Sequence, residues 1–283
     1  MWKQRLCLST SDQFGLPEKE QIQLIRKVGF DGFFCMYEDG KDLVSLREMA
    51  DGCGAYFQSV HAPYVLMHKL WKPDEQTQFA LNELLHCIQE TARAGVPIVV
   101  MHAFIGFEDH TPTKDGINNI RLLVDEAKKC GVRIAFENTE GEEYLAEIMK
   151  EFKDESHIGF CWDTGHEMCY NHSKNLINLY GDRLFCTHLN DNLGISDFDG
   201  KITWLDDLHL LPYDGVADWD AIAQKLVNCG FDGALTFELN TKSKPERHEN
   251  DKYEKMELID YLTEAYGRAC RFATEVMRKR NSF

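Results

Sequence analysis

Apolar residues recur along this chain in two alternating ways. Short continuous apolar runs are separated by longer stretches in which they return every third or fourth position. The short runs read as strands: 5–9, 32–37, 57–61, 98–102, 133–137, 158–163, 184–188 and 234–238. The periodic stretches predict helices over about 17–28, 42–52, 74–94, 116–130, 142–152, 173–180, 219–229 and 251–279. In the third of these, Leu81, Leu84, Leu85 and Ile88 fall on one face. Pro17 with early acidic residues marks a helix start, and Gly29, Gly95 and Gly131 mark stops. The segments 28–33 and 229–234 repeat one Gly-Phe-Asp-Gly connector. Eight strand-then-helix units with no composition break predict an α/β fold, a single (β/α)8 TIM barrel spanning 1–283.

Strand ends carry the chemistry. The stretch from Ile158 to Tyr170 ends an apolar run at Asp163, turns through Thr164 and Gly165, and brings an imidazole at His166. Asp-x-x-His alone is equally the mark of a helix N-cap beside an unrelated histidine. Five further runs end in the same way, at His61, His102, Glu137, His188 and Glu238. In a parallel barrel the C-terminal ends of the strands form one mouth, so these side chains are predicted to converge. The long 189–217 connection adds Asp207 and His209, and ordered connections of that length are usually functional.

Composition narrows the reading. The 283 residues are 43% hydrophobic and 28% charged, ordinary for a soluble globular protein. No segment approaches the roughly 20 apolar residues of a membrane span, and the N-terminus passes directly into polar sequence without a signal-peptide core. The ten cysteines form no Cys-x-x-Cys pair and fall in apolar runs or late in helices, which predicts reduced, buried thiols and a cytoplasmic location. A net charge of −16 counts against a nucleic-acid groove, and Lys242, Lys244 and Arg247 are the only basic cluster near the predicted mouth.

Imidazole and carboxylate together suit a divalent metal such as zinc or manganese, and the lack of cysteine in the set argues against a closed structural zinc site. A single strand-end histidine is more often a satisfied core residue. Burying nine ionisable groups at one mouth without a cation would be costly, however, so metal binding is the simpler account. His68, His86, His110, His157, His172 and His248 end no strand-like run. Of these only His68, in the apolar 62–71 loop, is assigned a contact with substrate.

The motifs Val60-His61-Ala62-Pro63, Met101-His102, Phe136-Glu137-Asn138, Trp162-Asp163-Thr164-Gly165-His166, Thr187-His188-Leu189-Asn190-Asp191, the 207–219 stretch and Phe237-Glu238 resemble the xylose-isomerase-like barrel superfamily of sugar phosphate isomerases/epimerases and endonuclease IV. The resemblance covers nearly the whole chain and is most specific over 209–219. It implies one catalytic divalent ion on Glu137, Asp163, His188 and Glu238 in the sugar-acting members, with both glutamates moving the substrate proton. In endonuclease IV it implies three zinc ions: one on His61, His102 and Glu137, one on the four residues just named, and one on His166, Asp207 and His209. Tyr213 departs from the pattern, which has glycine after Leu-Pro.

Two functions therefore stand, with one to three metal ions per chain. The first is a metal-dependent isomerase or epimerase of a keto sugar, sugar phosphate or related polyol, with Glu137 and Glu238 exchanging the proton. His68, Trp71, Phe104, Phe107, Trp162 and Lys242 would then contact substrate. The second is an endonuclease IV-like zinc phosphodiesterase at abasic DNA sites, disfavoured by the acidic balance. A non-catalytic metal-binding module fits an open mouth poorly. The partner expected is a small molecule, with no membrane and no nucleic acid, and a homo-oligomer is left open.

Overall fold

The computed structural model describes residues 4–108, 110–196 and 200–281. Eight parallel strands run in the order β7-β6-β5-β4-β3-β2-β1-β8. They are β1 (Leu6–Ser9), β2 (Gly32–Met36), β3 (Tyr56–His61), β4 (Ile98–His102), β5 (Arg133–Glu137), β6 (Ile158–Asp163), β7 (Leu184–His188) and β8 (Leu235–Phe237). Between β7 and β8 the barrel closes through few bonds. The Thr236 amide donates to Thr187 Oγ1 (3.1 Å), and the Leu189 amide donates to the Thr236 carbonyl (2.8 Å).

Alternation along the strands fixes which side chains face inward. Ile98, Val100, Ala135, Cys161 and Cys186 form a small interior cluster. Each strand of that cluster has, two residues further on, one of His102, Glu137, Asp163 and His188. The same parity turns Phe136, Phe160 and Trp162 outward into the main core between strands and helices.

The principal helices are Glu18–Val28, Leu43–Cys53, Thr77–Arg93, Lys114–Cys130, Glu142–Glu151, Trp219–Asn228 and Leu258–Arg280, close to the sequence expectation. The helix expected over about 173–180 is a single turn, Ile177–Tyr180, continued by a 3-10 turn, Gly181–Arg183, and three further local elements differ from the expectation. A one-turn helix, His68–Trp71, lies inside the 62–71 segment, and a helix, Thr164–Cys169, begins directly after β6. The last predicted helix is two, Asp251–Glu254 and Leu258–Arg280. All ten cysteines are free thiols, six of them buried. No helix among the described residues is long and apolar enough to cross a membrane.

Candidate metal centre

The strand-end residues meet at the C-terminal mouth. Glu137, at the end of β5, is fully buried and lies at the hub. Its Oε2 is 3.1 Å from His61 Nε2 and 3.5 Å from His102 Nε2, and its Oε1 is 2.8 Å from His188 Nδ1. His188 Nδ1 is also 2.9 Å from Glu238 Oε2. On the outer side, Asp207 Oδ1 is 3.3 Å from His166 Nε2 and 2.9 Å from His209 Nε2. All nine expected residues thus fall into three groups, the first two sharing Glu137: His61, His102 and Glu137; Glu137, Asp163, His188 and Glu238; and His166, Asp207 and His209. Within each group the donor atoms lie within 4.8 Å of one another. Cys161 Sγ stands equally close to Glu137 and His188 from the layer below, but burial and the Cys186 thiol hold it protonated.

Neighbouring polar groups set the orientation of this shell. Asp163 ends β6 and caps the following helix, its Oδ1 accepting from the His166 amide (2.7 Å) while Oδ2 accepts from Asn190 Nδ2 (2.8 Å). Asp163 is thus the helix cap that Asp-x-x-His can mark, and its carboxylate also stands in the second donor group. Gly165 permits the approach, since a Cβ there would meet Asn190 Oδ1 at 2.0 Å. Asn138 clamps the backbone of Asp163 from both sides (2.8 and 2.9 Å), and its carbonyl accepts from His166 Nδ1 (3.0 Å). Beyond β7, the fully buried Asp191 accepts from the amides of Asn192, Tyr213 and Ala217 and from Trp219 Nε1, all at 2.8–2.9 Å. That carboxylate pins the loop that presents His209. Tyr213 sits there at φ 72°, a left-handed conformation that explains why glycine is usual at this point. Its ring packs on Trp219 and beneath Arg271.

The donor set fits a cation on its own chemistry. The Nδ1 atoms of His61, His166 and His209 face the carbonyls of Ala62, Asn138 and Glu238, which can only accept. Their Nε2 atoms therefore aim unprotonated lone pairs at Glu137 or Asp207 unless a second proton or a metal ion intervenes. Protonating all of them would crowd imidazolium rings together, with His61 and His102 centroids 5.0 Å apart and those of His166 and His209 5.6 Å apart. His102 Nδ1 and His188 Nε2 are buried without a hydrogen-bond partner among the described residues. Burial, with the His61 ring adding, pulls His102 down to about 3. Burial pushes Asp163 up to about 6, with Glu137 and Glu238 adding and His166 and His209 opposing. Burial would neutralise His188 and His209, but Glu137 and Glu238 hold the first well above its usual value, and Asp207 and Glu238 hold the second at about 9.

Most of the expected substrate contacts lie elsewhere. Trp162 faces outward because its neighbour Asp163 faces in, and its indole donates to Glu167 (2.8 Å). Trp71 is closed into the core, donating to the Ala103 carbonyl and packing on Tyr144. Phe104 stacks on the same tyrosine (4.1 Å). His68 lines a separate outer cleft with Phe104 and Phe107. Lys242 is absent from the lining of the cavity over the cluster and is held by its backbone, its amide donating to Gln13 Oε1 and its carbonyl accepting from Asn250 Nδ2. In their place, a cavity of about 640 Å³ above the cluster is lined by Tyr64, Ile105, Tyr170, Trp204 and Lys244. Only strand parity could have excluded Trp162 from sequence, and nothing local marks Trp204.

A family model described as xylose isomerase-like TIM barrel matches residues 22–263. The uncharacterized protein y4fM of Sinorhizobium fredii (strain NBRC 101917 / NGR234) is 31% identical over 182 residues, 58% of this chain and 54% of that protein. A probable endonuclease 4 of Mycoplasma capricolum subsp. capricolum is 28% identical over 154 residues, 47% of this chain and 52% of that protein. The chain thus spans about half the length of these curated relatives. Among solved structures, an L-ribulose 3-epimerase superposes with TM-score 0.73 at 16% identity over 98% of this chain and 97% of its own. The IOLI protein with a binding zinc atom does so with TM-score 0.72 at 21% identity over 98% and 99%. At such identities these two establish the fold alone.

Proposed function

Because the chain belongs to the xylose isomerase-like TIM barrel family, we propose that it is a divalent-metal-dependent isomerase or epimerase of a keto sugar, sugar phosphate or related polyol. The observation that carries this reading is the pair of glutamates meeting at His188 Nδ1, Glu137 at 2.8 Å and Glu238 at 2.9 Å. A divalent ion held by Glu137, Asp163, His188 and Glu238, zinc or manganese by the donor types, would polarise adjacent carbonyl and hydroxyl oxygens and acidify the C–H between them.

The side chains divide the remaining work. Burial alone would raise both glutamates, but His188, with His61 and His166, holds Glu137 well below the usual carboxylate range, and His188 and His209 hold Glu238 at about 2. Both are therefore ionised at neutral pH, the form in which a carboxylate can take a proton. Both glutamates line the cavity, Glu238 with 22% of its side chain exposed and Glu137 with 1%. Glu238 is thus the base with access to substrate, and Glu137 the buried partner that completes the exchange. Tyr64 and Ile105 supply apolar wall.

A zinc phosphodiesterase acting at abasic DNA is the second reading, favoured by retention of all three donor groups and by the endonuclease relative. Against it, both lysines on the cavity wall are already engaged, Lys41 with Glu18 at 3.1 Å and Lys244 near Asp207 at 3.9 Å. The test is to offer metal-loaded protein a panel of keto sugars and their phosphates alongside a duplex bearing an abasic site. Turnover of a sugar, with duplex binding no tighter than about micromolar at physiological salt, is the expected result. Nanomolar duplex binding with strand cleavage would make the second reading the better one.

A further inference from the structure

The cavity reaches beyond the metal centre, and its outer wall has a composition of its own. Trp204 stands on that wall with 54% of its surface exposed, among the largest apolar side chains left open to solvent in the described residues. It is held there by construction. Trp204 opens a short 3-10 turn, Trp204–Asp206, closed by a capping box in which Thr203 and Asp206 satisfy each other's backbone amides. Asp206 is fully buried, accepts from the Ser196 hydroxyl at 2.6 Å and pairs with Arg247 at 3.2 Å. The next residue is Asp207, of the outer donor group. One face of the indole lies near Lys244 Nζ, 5.3 Å from the ring centroid, and that ammonium lies 3.9 Å from Asp207 Oδ2. An open aromatic on a braced turn, tied by one peptide bond to a site residue, is the kind of rigid amphipathic surface on which ligands stack.

Charge on the wall defines what stacks there. Outside the donor groups the cavity carries Asp12, Glu18, Glu38 and Glu140 against Lys41 and Lys244. Lys41 is committed to Glu18, and Lys244 is held between Asp207 and the indole. No arginine lines the cavity among the described residues. A phosphate on the outer part of a substrate would thus meet a net negative wall with no uncommitted cation. Hydroxyl groups meet suitable partners there, including Asn240, whose side-chain amide makes no hydrogen bond among the described residues.

Resting on the isomerase or epimerase reading of the same site, we propose that Trp204 is its specificity-determining residue. It receives the C–H face of an uncharged polyhydroxylated ring or chain, with Lys244 holding the indole in place, and the wall around it rejects the phosphorylated counterpart. The test compares D-tagatose with D-tagatose 6-phosphate, and wild type with W204A and W204F, in metal-loaded protein. Tryptophan fluorescence reports binding, solvent deuterium incorporation reports turnover, and metal content and circular dichroism report an intact fold. The expected result is that the uncharged sugar quenches wild-type fluorescence and the phosphate does not. W204A should raise the concentration needed for half-maximal effect by about tenfold, and W204F should recover most of it. Turnover of the sugar with an unchanged KM in W204A, or tighter binding of the phosphate, would overturn the inference while leaving the functional reading intact. Quenching that depends on Trp204 without deuterium incorporation would sustain the inference and count against that reading, and neither quenching nor turnover would count against both.

Discussion

His209 holds its second proton only because Asp207 and Glu238 stand beside it, and that fixes how the metal-free protein responds to pH. Burial works against the charge, but the two carboxylates outweigh it and raise the imidazole from about 6.5 to about 9. A raised pKa means that this pairing stabilises the metal-free fold fully below about pH 6.5 and that its contribution is lost as pH rises toward 9. A cation at the site needs the same imidazole without its extra proton, so the sign reverses on loading. Metal binding at pH 7 is therefore expected to release protons and to tighten with pH, which calorimetry in buffers of different ionisation enthalpy will measure. Enthalpies independent of the buffer would contradict it. Asp191 makes a separate prediction. It is fully buried, makes no ion pair among the described residues and satisfies four N–H donors, and D191N leaves at least one of those donors facing an NH2 group. A loss of about 3 kcal/mol in denaturant unfolding of the metal-free protein is expected. The strand-end candidate donors were legible in sequence because each closes an apolar run. Asp191 and Asn190 were legible only as part of a family motif, because their roles depend on partners far along the chain.

The helix Thr164–Cys169 and the loop that carries Asp207 and His209 decide whether the outer donor group holds metal or substrate. His166 is set by its helix, capped by Asp163 and fixed at Nδ1 by the Asn138 carbonyl. His209 lies at φ 48°, its carbonyl accepts from the Asn240 amide (3.0 Å), and the next residue, Leu210, is bridged to Asp191. Two braced elements put their imidazoles on either side of Asp207. If the group holds an ion, H166A combined with H209A is expected to remove about one equivalent of tightly bound metal, as measured by elemental analysis after dialysis. Unchanged metal with a raised KM would assign these residues to substrate instead. The sequence placed the eight strands well because their apolar runs are uninterrupted. It gave Thr164 and Gly165 as a plain turn, because a six-residue helix is too short to display periodicity. It also treated aromatic residues near strand ends as walls of the mouth, and Trp71, Phe104 and Trp162 instead fill the layer between strands and helices.

Across the molecule, the barrel brings residues from the ends of β3 through β8 and from one long loop to a single mouth, and the cavity wall outside the donor groups carries Asp12, Glu18, Glu38 and Glu140 against Lys41 and Lys244. The fold was readable from the chain because its apolar runs repeat eight times, and six of the nine candidate donors because they close six of those runs. The cavity wall was not, because Tyr64, Tyr170, Trp204 and Lys244 come from separate loops and meet only when the barrel closes. The central claim is that the paired glutamates move a substrate proton, and its most direct measurement is solvent deuterium incorporation into a keto sugar by metal-loaded wild type and by E238Q. The amide keeps the shape and a weaker ligand but cannot take a proton. The account predicts incorporation by wild type and a loss of at least about a hundredfold in E238Q, with metal content largely retained. Incorporation by E238Q at the wild-type rate would contradict it.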